Sequence, residues 1–116
     1  MTNNIQFSSV CGIDIAKSVM QVYRVTSDGV VSNKAVKRAD FLNEFRNTPP
    51  ALIGMEACGG SQHWARELQS LGHTVRLMPP KLVKPYVTGL KNDKNDARGI
   101  YTCLLYTSPS PRDRTR

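Results

Sequence analysis

The chain has 116 residues, with 16 Lys and Arg against 9 Asp and Glu, for a formal net charge of +7. That length holds one compact domain and excludes a multidomain enzyme for this chain. With 40% hydrophobic residues it can bury a core, yet no apolar run nears the ~18–20 residues of a membrane span. The first nine residues are polar and lack the apolar segment of a secretory signal, so no export is expected. The positive excess points to a polyanionic partner, nucleic acid before membrane.

Ser9 to Ile15 is a short apolar run with an acidic residue near its end, and reads as a strand. Val19 to Thr26 is a second, with β-branched and aromatic residues in partial alternation. Ser27-Asp28-Gly29 is a turn signal, and Val30 to Ala35 reads as a third strand, closing an antiparallel meander. The period then changes: Ala39, Phe41, Leu42 and Phe45 suit one helical face, stopped at Thr48-Pro49-Pro50.

Ala51 to Glu56 is again short and apolar, a buried strand ending in a carboxylate. Ser61 is placed to cap a helix over Gln62 to Leu71, with Trp64, Ala65, Leu68 and Leu71 turned to the core and Gly72 at its end. His73 to Met78 reads as a fifth strand. Strand, helix, strand at this spacing makes a parallel crossover. Lys81 to Thr88 is expected to be helical with an interruption at Pro85, and Lys91 to Thr102 starts another helix. The fold class is α/β, a mixed sheet flanked by helices.

The last fourteen residues stand apart. Cys103 to Arg116 reads CLLYTSPSPRDRTR and carries +2 of the net charge, leaving +5 to the first 102 residues. Back-translated with one allowed codon choice, Cys103 to Asp113 resembles the adapter of transposase-based sequencing libraries. The expected division is therefore residues 1–102 as the protein domain and 103–116 as an adapter-derived tail, removable without loss of folding.

Four carboxylates stand out by position. Asp14 ends the first strand and Glu56 the fourth. Asp93 and Asp96 are three apart at the start of the last helix, and so share a face. Ligand sites of open α/β sheets lie at such strand ends. Four converging carboxylates repel one another unless divalent cations join them. Mg²⁺, with Mn²⁺ as substitute, suits carboxylate, water and phosphate oxygen. Two such ions activate a water or hydroxyl and stabilise a leaving oxygen. Each residue also has a plainer role: Asp14 as a turn cap, Glu56 paired with Lys17 or Arg66, Asp93 and Asp96 complementing a helix dipole. Taken together, the four read as a metal-dependent nuclease or strand-transfer site.

Lys81, Lys84, Lys91, Lys94 and Arg98 flank the second acidic pair and suit phosphate contact; Lys17 lies three residues after Asp14 and can do the same. Cys11, Cys58, His63 and His73 lack zinc spacing, and both cysteines read as small buried residues.

GIDIAK around Asp14, GMEACGG around Glu56 and KNDKNDARGI around Asp93 and Asp96 resemble the N-terminal domain of DEDD-type transposases of the insertion sequence 110 family. VRLMPPKLVKPYVTGLK, between the second and third motifs, matches the family's run from the fifth strand into a basic helix. The resemblance covers about Val10 to Ile100. It implies a ribonuclease-H-like, RuvC-like fold and Mg²⁺ on Asp14, Glu56, Asp93 and Asp96. It implies a bacterial or archaeal cytoplasmic protein that cuts and rejoins DNA, works with a structured non-coding RNA and acts as a homo-oligomer. The family also carries a C-terminal domain with a catalytic serine, which this chain lacks, so the chain by itself is expected to be an inactive fragment. Two rival readings are a stand-alone RuvC-like nuclease or resolvase, and a non-catalytic nucleic-acid-binding module.

Overall fold

A computed structural model describes residues 7–16, 18–87 and 93–107; the side chains of 87, 93–95 and 107 fall outside it. Lys17, Lys91 and the expected start of the last helix at Lys91 lie outside the described residues, as do residues 108–116.

Five strands form one sheet, β1 (Ser9–Ile15), β2 (Val19–Thr26), β3 (Val31–Lys37), β4 (Ala51–Glu56) and β5 (Thr74–Met78), in the order β3-β2-β1-β4-β5. The first three pair antiparallel as the meander expected from the sequence. β4 then lies parallel to β1, and β5 parallel to β4. The mixed α/β sheet flanked by helices is the class read from the sequence.

Strand alternation sorts side chains onto two faces. Cys11, Ile13, Met20, Val22, Ile53 and Met55 form the larger core with α1 (Phe41–Arg46) and α2 (Ser61–Ser70). Phe41 stands at its centre, edge-on to Phe45 at 5.4 Å and to Trp64 at 5.3 Å. On the other face Met78, Val83, Ile100, Cys103 and Leu104 form a second core beneath α3 (Pro80–Val87) and α4 (Asp93–Thr107).

His73 ties the first core together. Its Nδ1 accepts from the Ala51 amide at 3.0 Å, and its Nε2 lies 2.8 Å from the Phe45 carbonyl. An accepting Nδ1 leaves the proton on Nε2, so the neutral ring joins α1 to the start of β4. Gly72, at φ +100°, closes α2: its amide reaches the Gln69 carbonyl and that of His73 the Leu68 carbonyl. That pairing needs a left-handed residue after the helix, which glycine supplies without a Cβ clash.

Several sequence expectations are corrected. Ser61 is the first helical residue and Gly60 its cap. The buried Ser61 hydroxyl instead accepts from the Cys58 amide and donates to the Cys58 carbonyl, both at 2.9 Å, closing the loop ahead of the helix. Pro85 does not interrupt α3: its fixed φ is already helical, and the lost amide bond and the ring's crowding of the Lys81 carbonyl fall in the last turn of a short helix. Cys58 is exposed, since it lies in the loop after β4 rather than on a sheet face; Cys11 is buried.

The structure describes the first five residues of the tail. α4 continues to Thr107, and Cys103 and Leu104 are buried, at 0% and 1% exposure. Their positions extend the buried stripe of Ala97 and Ile100 at helical spacing. Whatever encodes them, these two side chains cover β4 and α3. Ending the chain after Thr102 is therefore expected to lower stability by about 2–5 kcal/mol, the range for removing a buried leucine. Ending it after Thr107 should leave the thermal midpoint near that of the full chain. Equal midpoints for both truncations would show that Cys103 and Leu104 contribute nothing.

Candidate metal and nucleic-acid site

Asp14 and Glu56 sit at the C-terminal ends of two adjacent parallel strands. The printed register of β1 and β4 runs to the pair Ile13 and Met55, one residue short of both carboxylates. Alternation puts Asp14 on the face of Gly12, and Glu56 on the face of Gly54. Both glycines face α4. A Cβ on Gly12 would collide with the Ala97 carbonyl oxygen and the Tyr101 amide nitrogen, and a Cβ on Gly54 would lie 2.9 Å from Leu104 Cδ2. So α4 passes directly over β1 and β4, on the side from which the two carboxylates project.

The direction of α4 follows from the same contacts. Tyr101 meets Tyr23 of β2 with ring centroids 5.0 Å apart, while Leu104 covers Gly54 of β4. Asp96 immediately precedes Ala97, whose carbonyl lies over Gly12, and is half-buried. Gly12 is in turn two strand residues from Asp14. Asp96 thus stands one residue before the point where α4 crosses β1, the strand that carries Asp14. Asp93 is the first residue of α4, and its side chain lies outside the described residues.

Among the described residues, no three His, Cys, Asp or Glu side chains converge closely enough to hold a metal ion. Asp14, Glu56 and Asp96 thus share one side of the sheet without forming a finished cluster. The donors they offer are all carboxylate oxygens, which fit a hard cation such as Mg²⁺ and not a thiophilic one. Among the described residues Glu56 forms no ion pair with Arg66; the bridge present is Lys34 to Glu44 at 3.1 Å, on the far side of the meander. The structural pairing of Glu56 with Arg66 is therefore not found.

The cations divide in the same way. Lys81 and Lys84 are exposed on α3, and Arg98 is exposed on α4. Lys94 lies in α4 with its side chain outside the described residues. Burial pushes the Tyr101 phenol upward, and Tyr23 and Cys11 add to the shift, so Tyr101 is a neutral group packed over the middle of β1 and β2.

The sequence reading missed two groups. The glycines were absorbed into apolar runs, although Gly12-Ile13-Asp14 and Gly54-Met55-Glu56 share one pattern: a glycine two residues before a carboxylate, on the same face. The second group is Gln21, directly opposite Asp14 in the β1–β2 pair. Asp14, Ala16, Val19 and Gln21 line a cleft of about 150 Å³.

The close approach of α4 can be tested directly. Gly12→Ala places a methyl against backbone atoms that cannot move aside, and should cost about 1–3 kcal/mol or more. Gly54→Ala meets only the Leu104 and Met78 side chains and should cost less. Denaturant unfolding of both variants checks the order; a harmless Gly12→Ala would mean that α4 does not lie against β1.

No protein-family model matches the chain. Curated relatives do. The chain is 50% identical over 102 residues to a "Probable family 20 transposase" of Pseudomonas aeruginosa, covering 87% of this chain and 30% of that protein. It is 40% identical over 92 residues to the transposase for insertion sequence element IS1111A of Coxiella burnetii, covering 78% and 25%. It is 32% identical over 103 residues to the transposase for IS1328 of Yersinia enterocolitica, covering 88% and 30%. Among solved structures it is similar to Thermus thermophilus RuvC, at 17% identity and a TM-score of 0.43, covering 89% of this chain and 83% of that one. The chain spans roughly a quarter to a third of the curated relatives it matches. On identity sustained over most of its length, this chain belongs to the insertion-sequence transposases.

Proposed function

We propose that the chain is the part of a DNA transposase that holds divalent metal at a phosphate of the DNA strand to be cut. The observation that carries this reading is the placement of Asp14 and Glu56. They end adjacent parallel strands on the face that α4 crosses, and α4 begins with Asp93 and Asp96. Asp14, Glu56, Asp93 and Asp96 would hold the cations. When bound, Mg²⁺ or Mn²⁺ there supplies an activated water or hydroxyl and stabilises the leaving oxygen.

The chain's own groups bind and orient. The carboxylates accept cations that their mutual repulsion favours. Lys81, Lys84 and Arg98, exposed on the two helices of this face, contact phosphates without reading sequence; Lys17, Lys91 and Lys94 extend the same role. Strand cleavage and rejoining belong to the whole transposase, of which a catalytic-serine domain is a further part. A structured RNA partner and assembly as a homo-oligomer are likewise proposed for the whole protein. No helix among the described residues is long and apolar enough to cross a membrane.

The site is tested by metal titration of the thermal midpoint. A ligand at one hundred times its dissociation constant stabilises the folded state by about 2.7 kcal/mol. Mg²⁺ or Mn²⁺ should therefore raise the midpoint in a saturable way. Asp14→Asn combined with Asp93→Asn should abolish the rise. A rise that persists in the double variant contradicts the four-carboxylate site and favours a binding module with structural carboxylates.

A further inference from the structure

The cleft beside Asp14 has a chemistry distinct from that of the carboxylates. Gln21 faces Asp14 across the antiparallel pair, so the two Cβ atoms stand about 5 Å apart on the same face. The Gln21 amide does not swing freely. Its Nε2 donates to Asn33 Oδ1 of β3 at 2.7 Å. That bond uses one of the two Nε2 hydrogens of an amide that lines the cleft together with Asp14, Ala16 and Val19.

Size and lining narrow the occupant. The cleft offers about 150 Å³, room for a sugar ring or the edge of a base. Among the described residues, the groups lining the cleft are the Asp14 carboxylate, the Gln21 amide and the apolar side chains of Ala16 and Val19. Ala16 and Val19 give an apolar wall, and Val19 is 37% exposed. The amide offers one donor and one acceptor, the pair that reads hydroxyls and base edges. Lying against Asp14, the cleft is placed for a group attached to the phosphate held there.

We propose that this cleft receives the nucleoside part of the nucleotide whose phosphate lies at Asp14, and that Gln21, aimed by Asn33, hydrogen-bonds it. Gln21 is then a substrate-binding residue, and Asn33 a positioning residue acting through it. The proposal rests on the nucleic-acid reading of the carboxylate site and adds the subsite that holds the strand in register over the metal.

The test is binding of a short dye-labelled DNA to the full chain, by fluorescence anisotropy in Ca²⁺, alongside the metal-dependent thermal midpoint. Gln21→Ala and the near-isosteric Gln21→Met should each weaken binding about tenfold, the loss of roughly one well-placed hydrogen bond to substrate. The metal-induced rise of the midpoint should stay at the wild-type value. Asn33→Ala should weaken binding in the same direction, and should add nothing in the Gln21→Ala background, because it acts through that amide. Wild-type affinity in both Gln21 variants overturns the subsite while leaving the carboxylate site standing. Loss of the metal response in both Gln21 variants overturns it too, by making Gln21 a support for Asp14. Absence of DNA binding by the wild-type chain in any divalent metal overturns the nucleic-acid reading itself, and the subsite with it.

Discussion

The close approach of α4 to β1 and β4 is the constraint on which the rest of this structure depends. A helix resting on a sheet is normally held off by the side chains between them. Here Gly12 and Gly54 remove those side chains at the two crossing points, and the Ala97 carbonyl and Tyr101 amide occupy the space a Cβ would take. Two consequences follow. Ile100, Cys103 and Leu104 can seal the second core, and Asp96 stands one residue before the crossing of α4 over β1, the strand that carries Asp14. The same glycines that permit packing thus fix where the acidic residues go. Stability and site geometry are coupled through one helix–sheet contact, so a change at Gly12 should disturb both.

The two faces of the sheet divide the work. The α1 and α2 face is built from aromatic and branched side chains and is tied by the neutral His73 ring between the Phe45 carbonyl and the Ala51 amide. It carries no carboxylate of the site and serves as the rigid support. The α3 and α4 face has the smaller core and holds the carboxylates, the exposed Lys81, Lys84 and Arg98, and the Gln21 cleft. A half-buried carboxylate at the end of a strand is costly without a counter-charge. Asp14 and Glu56 lie on neighbouring strands of this face, and in the proposed site a bound cation supplies that counter-charge.

Much of this was legible in the sequence because the signals were local. The short apolar runs of β1 and β4, the partial alternation of β2, the Gly29 and Gly72 turns, and the helical period of α2 each marked an element within a few residues. Asp14 and Glu56 were found because a carboxylate ending an apolar strand is conspicuous. What escaped depended on which residues meet across space. Gln21 could be assigned a face but not a partner until the β1–β2 register set it opposite Asp14. Ser61 was expected to cap α2 and is instead its first residue, with its hydroxyl turned back to Cys58, a competition that composition does not decide. Cys103 and Leu104 were set aside because of what their codons resemble. Their helical spacing after Ala97 and Ile100 pointed the other way, and packing followed the spacing. Glycine two residues before each carboxylate was visible throughout. It gains meaning only once a helix is known to cross both strands.

The central claim is that β1, β4 and α4 bring their carboxylates to one cation site. Mn²⁺ tests it most directly, because a paramagnetic ion broadens amide resonances only near itself. In proton–nitrogen spectra of the full chain, substoichiometric Mn²⁺ should bleach the amides around Asp14, Glu56 and Asp93 to Asp96 together. Those around Val31 and Ser70, remote from the strand ends, should stay sharp. Bleaching at one of the three segments alone, or at none, would contradict the account.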